Sequence, residues 1–210
     1  MNKLGDLSCN EFLTELASAA PAPGGGGGAA MAGALAAALA SMVANLTIGK
    51  EKFAECEPEV KELLKQAEAE RVRLLTLVDE DAAVFNSFMS CYKLPKTTDE
   101  EKAARTAAIR AAAKQAATVP LNIARSSFAV LKLADRLVVL GNPGVITDGA
   151  CSGLLARAAL RCAEYNVRIN LGLTKDEAWN AQAAADLKQL LADAEALETR
   201  LLAVTDKALQ

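Results

Sequence analysis

Hydrophobic residues recur at helical spacing along almost the whole chain. Between 58 and 92, Val60, Leu63, Leu64, Ala67, Leu74, Leu75, Val78, Ala82, Phe85, Met89 and Tyr92 keep to one face, which is the periodicity of an amphipathic helix. At 1.5 Å per residue a helix of that length is about 50 Å long. A second long helix is predicted over 176–207. Shorter ones are predicted over 99–118, over 120–140 with Pro120 in its first turn, and over 148–170. Three Ser/Thr-x-x-Glu boxes mark helix starts: Ser8/Glu11, Thr98/Glu101 and Thr174/Glu177. The first is flanked by Leu7 and Phe12 in staple positions, so an opening helix is expected over 9–19.

Pro21 and Pro23 end that opening helix, Gly24 to Gly28 follow, and an Ala/Leu/Met helix then runs to Ile48 before Gly49. It has almost no polar face, and a helix apolar all round is normally enclosed by other helices. Its small side chains suit a central position or an oligomer interface. The expectation is an all-α fold: a single domain over 1–210, a bundle of about seven helices with two long ones and a buried Ala/Gly-rich helix. The uncharged stretch from Pro21 to Gly49 is long enough to span a bilayer. Its Ala and Gly transfer weakly into hydrocarbon, and Ser41, Asn45 and Thr47 interrupt it, so no membrane span is expected.

Composition narrows the function classes. Net charge is −3, from 23 basic and 26 acidic residues, with no basic run to track a phosphate backbone, so nucleic acid is not an expected partner. Five cysteines without C-x-x-C pairing fit neither a disulfide framework nor a zinc site. They point to a reducing cytoplasm. The chain has no histidine, which removes Ser/His and Cys/His nucleophiles and imidazole-ligated zinc, so no metal is assigned. Proton transfer falls to Asp, Glu, Lys, Tyr, Cys or water.

Several local patterns remain as candidate chemistry. Gly24, Gly25 and Gly26 lead into a helix, where bare backbone N–H groups could meet an anion or a flat ring; a flexible turn or a tight helix crossing is the plainer reading. The run is not a phosphate-binding P-loop, since no Lys follows, and no strand precedes it for a dinucleotide fold. Within Asp79-Glu80-Asp81, Asp81 falls at i+3 from Val78, beside the apolar face with Ala82 and Phe85. A carboxylate desolvated there could have a raised pKa and work as an acid or base, or it could only flank the stripe and reach solvent. The turn Gly141 to Thr147 delivers Asp148 to a helix start, where a plain N-cap is the simplest role, with Asn142 and Thr147 as further hydrogen-bonding groups. Asn166 and Asn170 share a face at i, i+4 with Arg168 nearby; such amides satisfy each other or bind a polar heterocycle. Lys50, Lys93 and Lys96 stand at helix ends and could hold an acidic tail.

These patterns coincide with one family. PAPGGG opening an Ala-rich helix that ends ANLTIGK, DEDA followed by Phe85, YKLPK, GNP with a later TD, and NVRINL together resemble the formiminotetrahydrofolate cyclodeaminase and methenyltetrahydrofolate cyclohydrolase family. The resemblance runs from Leu7 to about Leu171. It implies an all-helical homodimer acting on the carbon held between N5 and N10 of tetrahydrofolate, with the folate, polyglutamylated or not, as substrate and no permanently bound cofactor. By the family's motifs, Asp81 and Asp148 are the acid/base candidates, the glycine turn, Asn142 and Asn166 hold the pterin or its one-carbon group, and Arg168 and Lys50 are candidates for the glutamate tail. Cyclodeaminase stands slightly ahead of cyclohydrolase at the same site. The chain departs from the family's usual pattern at Gly27 and Gly28, where the resemblance implies Ser and then a small apolar residue. A non-catalytic helical oligomerisation module is the competing class, suggested by the Ala/Gly helix.

Overall fold

The computed structural model describes residues 3–210. Six α-helices make up the fold among these residues: α1 (Cys9–Leu16), α2 (Gly25–Asn45), α3 (Glu57–Cys91), α4 (Asp99–Leu140), α5 (Ile146–Thr174) and α6 (Glu177–Ala208), with short 3-10 turns between some of them. The domain is all-α. α2 runs through the middle against α3, α4 and α5, and α6 closes the side formed by α4 and α5.

The Ala/Gly character of α2 explains its place. Ala30, Ala36, Ala37, Ala40, Val43 and Ala44 are fully buried, and the small side chains let neighbouring helices come close. At Gly33 an added Cβ would lie 3.0 Å from a methyl of Leu74 on α3 and 3.1 Å from the hydroxyl of Ser127 on α4. Ser152 on α5 donates a 2.7 Å hydrogen bond to the Ala36 carbonyl, a helix-to-helix bond that large side chains would block. Among the described residues α2 is the one helix long and apolar enough to cross a bilayer, and 61% of its apolar window is buried inside the fold.

The capping boxes at Ser8 and Thr98 form as predicted, with Glu11 and Glu101 reaching back to the cap backbone. The third does not. Thr174 ends α5, its hydroxyl donating 2.5 Å to Asn180 Oδ1, and Asp176 caps α6 by accepting from the Trp179 N–H at 3.1 Å. An Asp two residues further on is at least as good a cap as the Thr, and Lys114 fixes it with a 2.8 Å ion pair.

The predicted break at Pro120 is also absent, so two expected helices are one. α4 continues for 42 residues through the proline. Pro120 has no N–H to offer the carbonyl of residue 116 four positions back, and the Asn170 side-chain amide donates to that carbonyl instead, at 2.9 Å. Tertiary structure supplies the missing hydrogen bond, so the helix tolerates the proline.

Candidate functional site

The N-terminal turn of α2, the middle of α3, the Pro120 region of α4 and the second half of α5 meet around one polar cavity. It has a volume of about 640 Å³ including its mouth and is lined by Pro21, Ala22, Gly24, Gly25, Gly26, Asp81, Val84, Phe85, Phe88, Ala116, Val119, Asn166 and Asn170. α2 begins at Gly25, earlier than predicted, so the glycines form its first turn rather than a loop ahead of it. The helix holds there because the groups packed around its end require bare backbone.

Asp81 is the clearest case. An added Cβ at Gly26 would overlap the Asp81 carboxylate, so that carboxylate rests directly on the backbone of α2. Burial pushes the Asp81 carboxyl above the ordinary aspartate range, while the Gly27 backbone N–H facing it favours the charge and partly offsets that push. The positive end of α2 acts in the same direction as the N–H. At Gly25 a Cβ would meet the Asn166 side chain at 3.4 Å. Asn166 donates to the Cys162 carbonyl at 2.9 Å, and Asn170, one turn on, donates to the carbonyls of Ala116 and Asn166 at 2.9 and 2.8 Å. Phe85 and Phe88 supply an apolar wall.

The only charged side chain lining this cavity among the described residues is Asp81. No group of three or more His, Cys, Asp or Glu is placed to hold a metal ion among them. A larger groove of about 940 Å³ between α1 and α2 is lined almost wholly by apolar residues, which leaves nothing to orient a polar ligand.

Gly24, Gly25, Gly26, Asp81 and Asn166 are thus brought together, and four other sequence candidates are not. Asn142 lies at the opposite end of α2, where its N–H donates to Thr47 Oγ1 at 2.9 Å, its side-chain amide to the Leu46 carbonyl at 3.2 Å, and its side-chain oxygen accepts from the Gly144 N–H at 3.0 Å. It locks the α4–α5 turn onto α2. Lys50 is exposed beyond that same end. Asp148, in the first turn of α5, stands about 27 Å of helix rise from Asn166. Arg168 turns to the outer surface, pairing with Glu164 at 3.3 Å and stacking near Tyr165.

Phe88 and Asn170 line the cavity without being predicted to by the sequence, where Asn170 stands only as a neighbour of Asn166. The signal for Asn170 was Pro120: a proline kept inside a helix needs a donor from elsewhere.

The sequence profile of the formiminotransferase-cyclodeaminase family matches residues 8–189. The chain belongs to this family. It is 45% identical over 197 residues to the methenyltetrahydrofolate cyclohydrolase of Methylorubrum extorquens, covering 94% of this chain and 95% of that one. It is 34% identical over 183 residues to the formimidoyltransferase-cyclodeaminase of Sus scrofa, covering 87% of this chain but 34% of that protein. This family member therefore spans about a third of the length of such bifunctional relatives. The crystal structure of formiminotetrahydrofolate cyclodeaminase from Thermotoga maritima superposes with a TM-score of 0.88 at 29% identity, covering 98% of both chains.

Proposed function

We propose that this chain is a methenyltetrahydrofolate cyclohydrolase, with Asp81 as its acid/base group. The observation that carries the reading is 45% identity over nearly the full length of both chains to a cyclohydrolase. That likeness supports cyclohydrolase over cyclodeaminase, which the sequence alone put slightly ahead. Cyclodeaminase remains the second reading, favoured by the full-length likeness to the Thermotoga maritima enzyme.

The cavity suits both reactions. The methenyl bridge, and a protonated formimino group, are each cations with charge shared over an N–C–N unit. A cavity whose single charged lining residue, among the described residues, is a part-buried carboxylate complements such a cation. In the hydrolase direction water adds to the methenyl carbon and Asp81 takes one of its protons; the same carboxyl returns that proton to N5 as the C–N5 bond breaks, and the remaining hydroxyl proton passes to water, leaving 10-formyltetrahydrofolate. In the deaminase direction N10 adds to the formimino carbon, and the proton it loses goes to the departing ammonia. A carboxyl titrating above the usual aspartate range is better matched to either transfer near neutrality. The N-terminal turn of α2 and Asn166 hold the ring in place.

Asp148 is too distant to share this step within one chain. It joins the chemistry only if a second copy sets its Asn142–Asp148 end against this cavity, and a cytoplasmic homodimer is part of the proposal. Lys50 belongs to that same end and would serve the glutamate tail in the same way.

Purified protein mixed separately with 5,10-methenyltetrahydrofolate and with 5-formiminotetrahydrofolate decides between the activities. Accelerated loss of the methenyl absorbance is expected in the first mixture. Growth of that absorbance with release of ammonia in the second, without accelerated loss in the first, assigns the cyclodeaminase. Neither rate exceeding the uncatalysed one returns the chain to a non-catalytic helical module.

A further inference from the structure

We infer that Asn170 is a specificity residue whose side-chain oxygen accepts a hydrogen bond from the N–H edge of the bound ring, the 2-amino and N3–H edge of a pterin, at the end of the cavity away from Asp81. The inference rests on the folate reading of the same cavity and states which part of the substrate enters it and how.

The orientation of Asn170 is fixed by the proline in α4. Pro120 leaves the Ala116 carbonyl without a helical donor, and Asn170 Nδ2 donates there at 2.9 Å and to the Asn166 carbonyl at 2.8 Å. Both amide hydrogens are engaged. Turning the amide over would set its oxygen against two carbonyl oxygens, so the assignment of N and O follows from the network. The oxygen accepts from no donor among the described residues, and Asn170 lines the cavity.

The rest of the lining has the same bias. Its polar side chains are Asp81, Asn166 and Asn170, with no Lys, Arg, Ser, Thr or Tyr among the described lining residues. Asn166 has one of its two amide hydrogens engaged with the Cys162 carbonyl. A ligand seated here brings its own N–H donors, and an anionic tail finds no cation. The N–H groups of Gly25 and Gly26 and the second amide hydrogen of Asn166 are the remaining donors among the described residues, available to a ring carbonyl.

Position agrees with the ring system. Asp81 lies on Gly26, Asn166 on Gly25, and Asn170 one turn further along α5, a rise of about 6 Å. With the one-carbon bridge at Asp81, the far edge of a two-ring heterocycle falls toward Asn170. That edge carries the amino group and the adjacent ring N–H.

Calorimetric titration with two probes tests the assignment: 5-formyltetrahydrofolate, and the same compound with hydrogen in place of the 2-amino group. The wild-type chain is expected to bind the amino compound about tenfold or more tightly than the desamino one, because the desamino compound leaves the oxygen without its donor. In Asn170→Ala the two probes bind within about twofold of each other. If the wild type shows no preference, the inference fails whatever the variant does, and the folate reading stands. If Asn170→Ala weakens both probes equally and keeps their ratio, Asn170 only supports Pro120 and the inference is overturned. Wild-type binding of neither probe removes the folate reading as well.

Discussion

Gly26 and Asp81 are in contact as backbone and carboxylate: the acid of α3 occupies the space that any side chain at position 26 of α2 would fill. The glycine therefore defines the position of the acid. Gly26→Ala is expected to displace Asp81, cut turnover by about a hundredfold or more, and cost about 1–3 kcal/mol through overpacking. Gly172→Ala, whose Cβ would meet nothing within 4 Å and which lies outside the cavity lining, is expected to leave turnover near wild type. Steady-state rates of the two variants side by side check the contrast.

Asp81 carries a pH signature of its own. Its carboxyl titrates above the ordinary aspartate range because burial disfavours the charge, so the unfolded chain releases this proton at lower pH than the folded one. The contribution of Asp81 to stability therefore falls as pH rises from the usual aspartate range through the raised value, and stays at its lowest above it. Asp81→Asn removes that penalty. The variant is expected to melt above the wild type near neutrality, with the difference shrinking as the pH is lowered into the usual aspartate range. Thermal unfolding at several pH values reads this directly, and a variant less stable than wild type at neutral pH would make the carboxylate a structural anchor of α2.

Gly28 lies in the first turn of α2. An added Cβ there comes no closer than 3.9 Å, to a methyl of Leu16. Glycine inside a helix is worse than alanine by about 1 kcal/mol, so Gly28→Ala is expected to raise stability by about 0.5–1 kcal/mol in denaturant unfolding, with kcat unchanged. Glycine at position 28 then weakens the helix end and not the chemistry.

Asp135 on α4 is almost fully buried and is held by Arg200 of α6 in a two-pronged ion pair. Arg200→Met leaves that carboxylate without its counter-ion. A loss of about 2–3 kcal/mol is expected, with the exposure of the Arg side chain keeping it below the cost of breaking a fully buried pair. Activity at a temperature well below unfolding should not change, because α6 contributes nothing to the cavity lining.

What the sequence revealed followed from local chemistry. The two Ser/Thr capping boxes that formed needed nothing beyond their own four residues, and the place of Asp81 beside an apolar face is a matter of helical spacing. What it concealed depended on distant partners. Pro120 reads as a helix start until Asn170 is known to reach the Ala116 carbonyl. The glycines read as a loop until Asp81 and Asn166 are seen against their backbone. Asn142 and Asp148 looked like companions of the glycine turn because one family pattern contains all of them, yet α2 carries them to opposite ends of about 30 Å of helix.

The Asp81 cavity, on the proposed function, acts on the carbon between N5 and N10. The most direct test is the rate of loss of 5,10-methenyltetrahydrofolate absorbance with wild-type chain and with Asp81→Asn, at one pH and at saturating substrate. A catalysed rate is expected in the wild type, with a fall of about a hundredfold or more in the variant, which stays folded. A folded Asp81→Asn variant that turns over at the wild-type rate would contradict that function of the cavity.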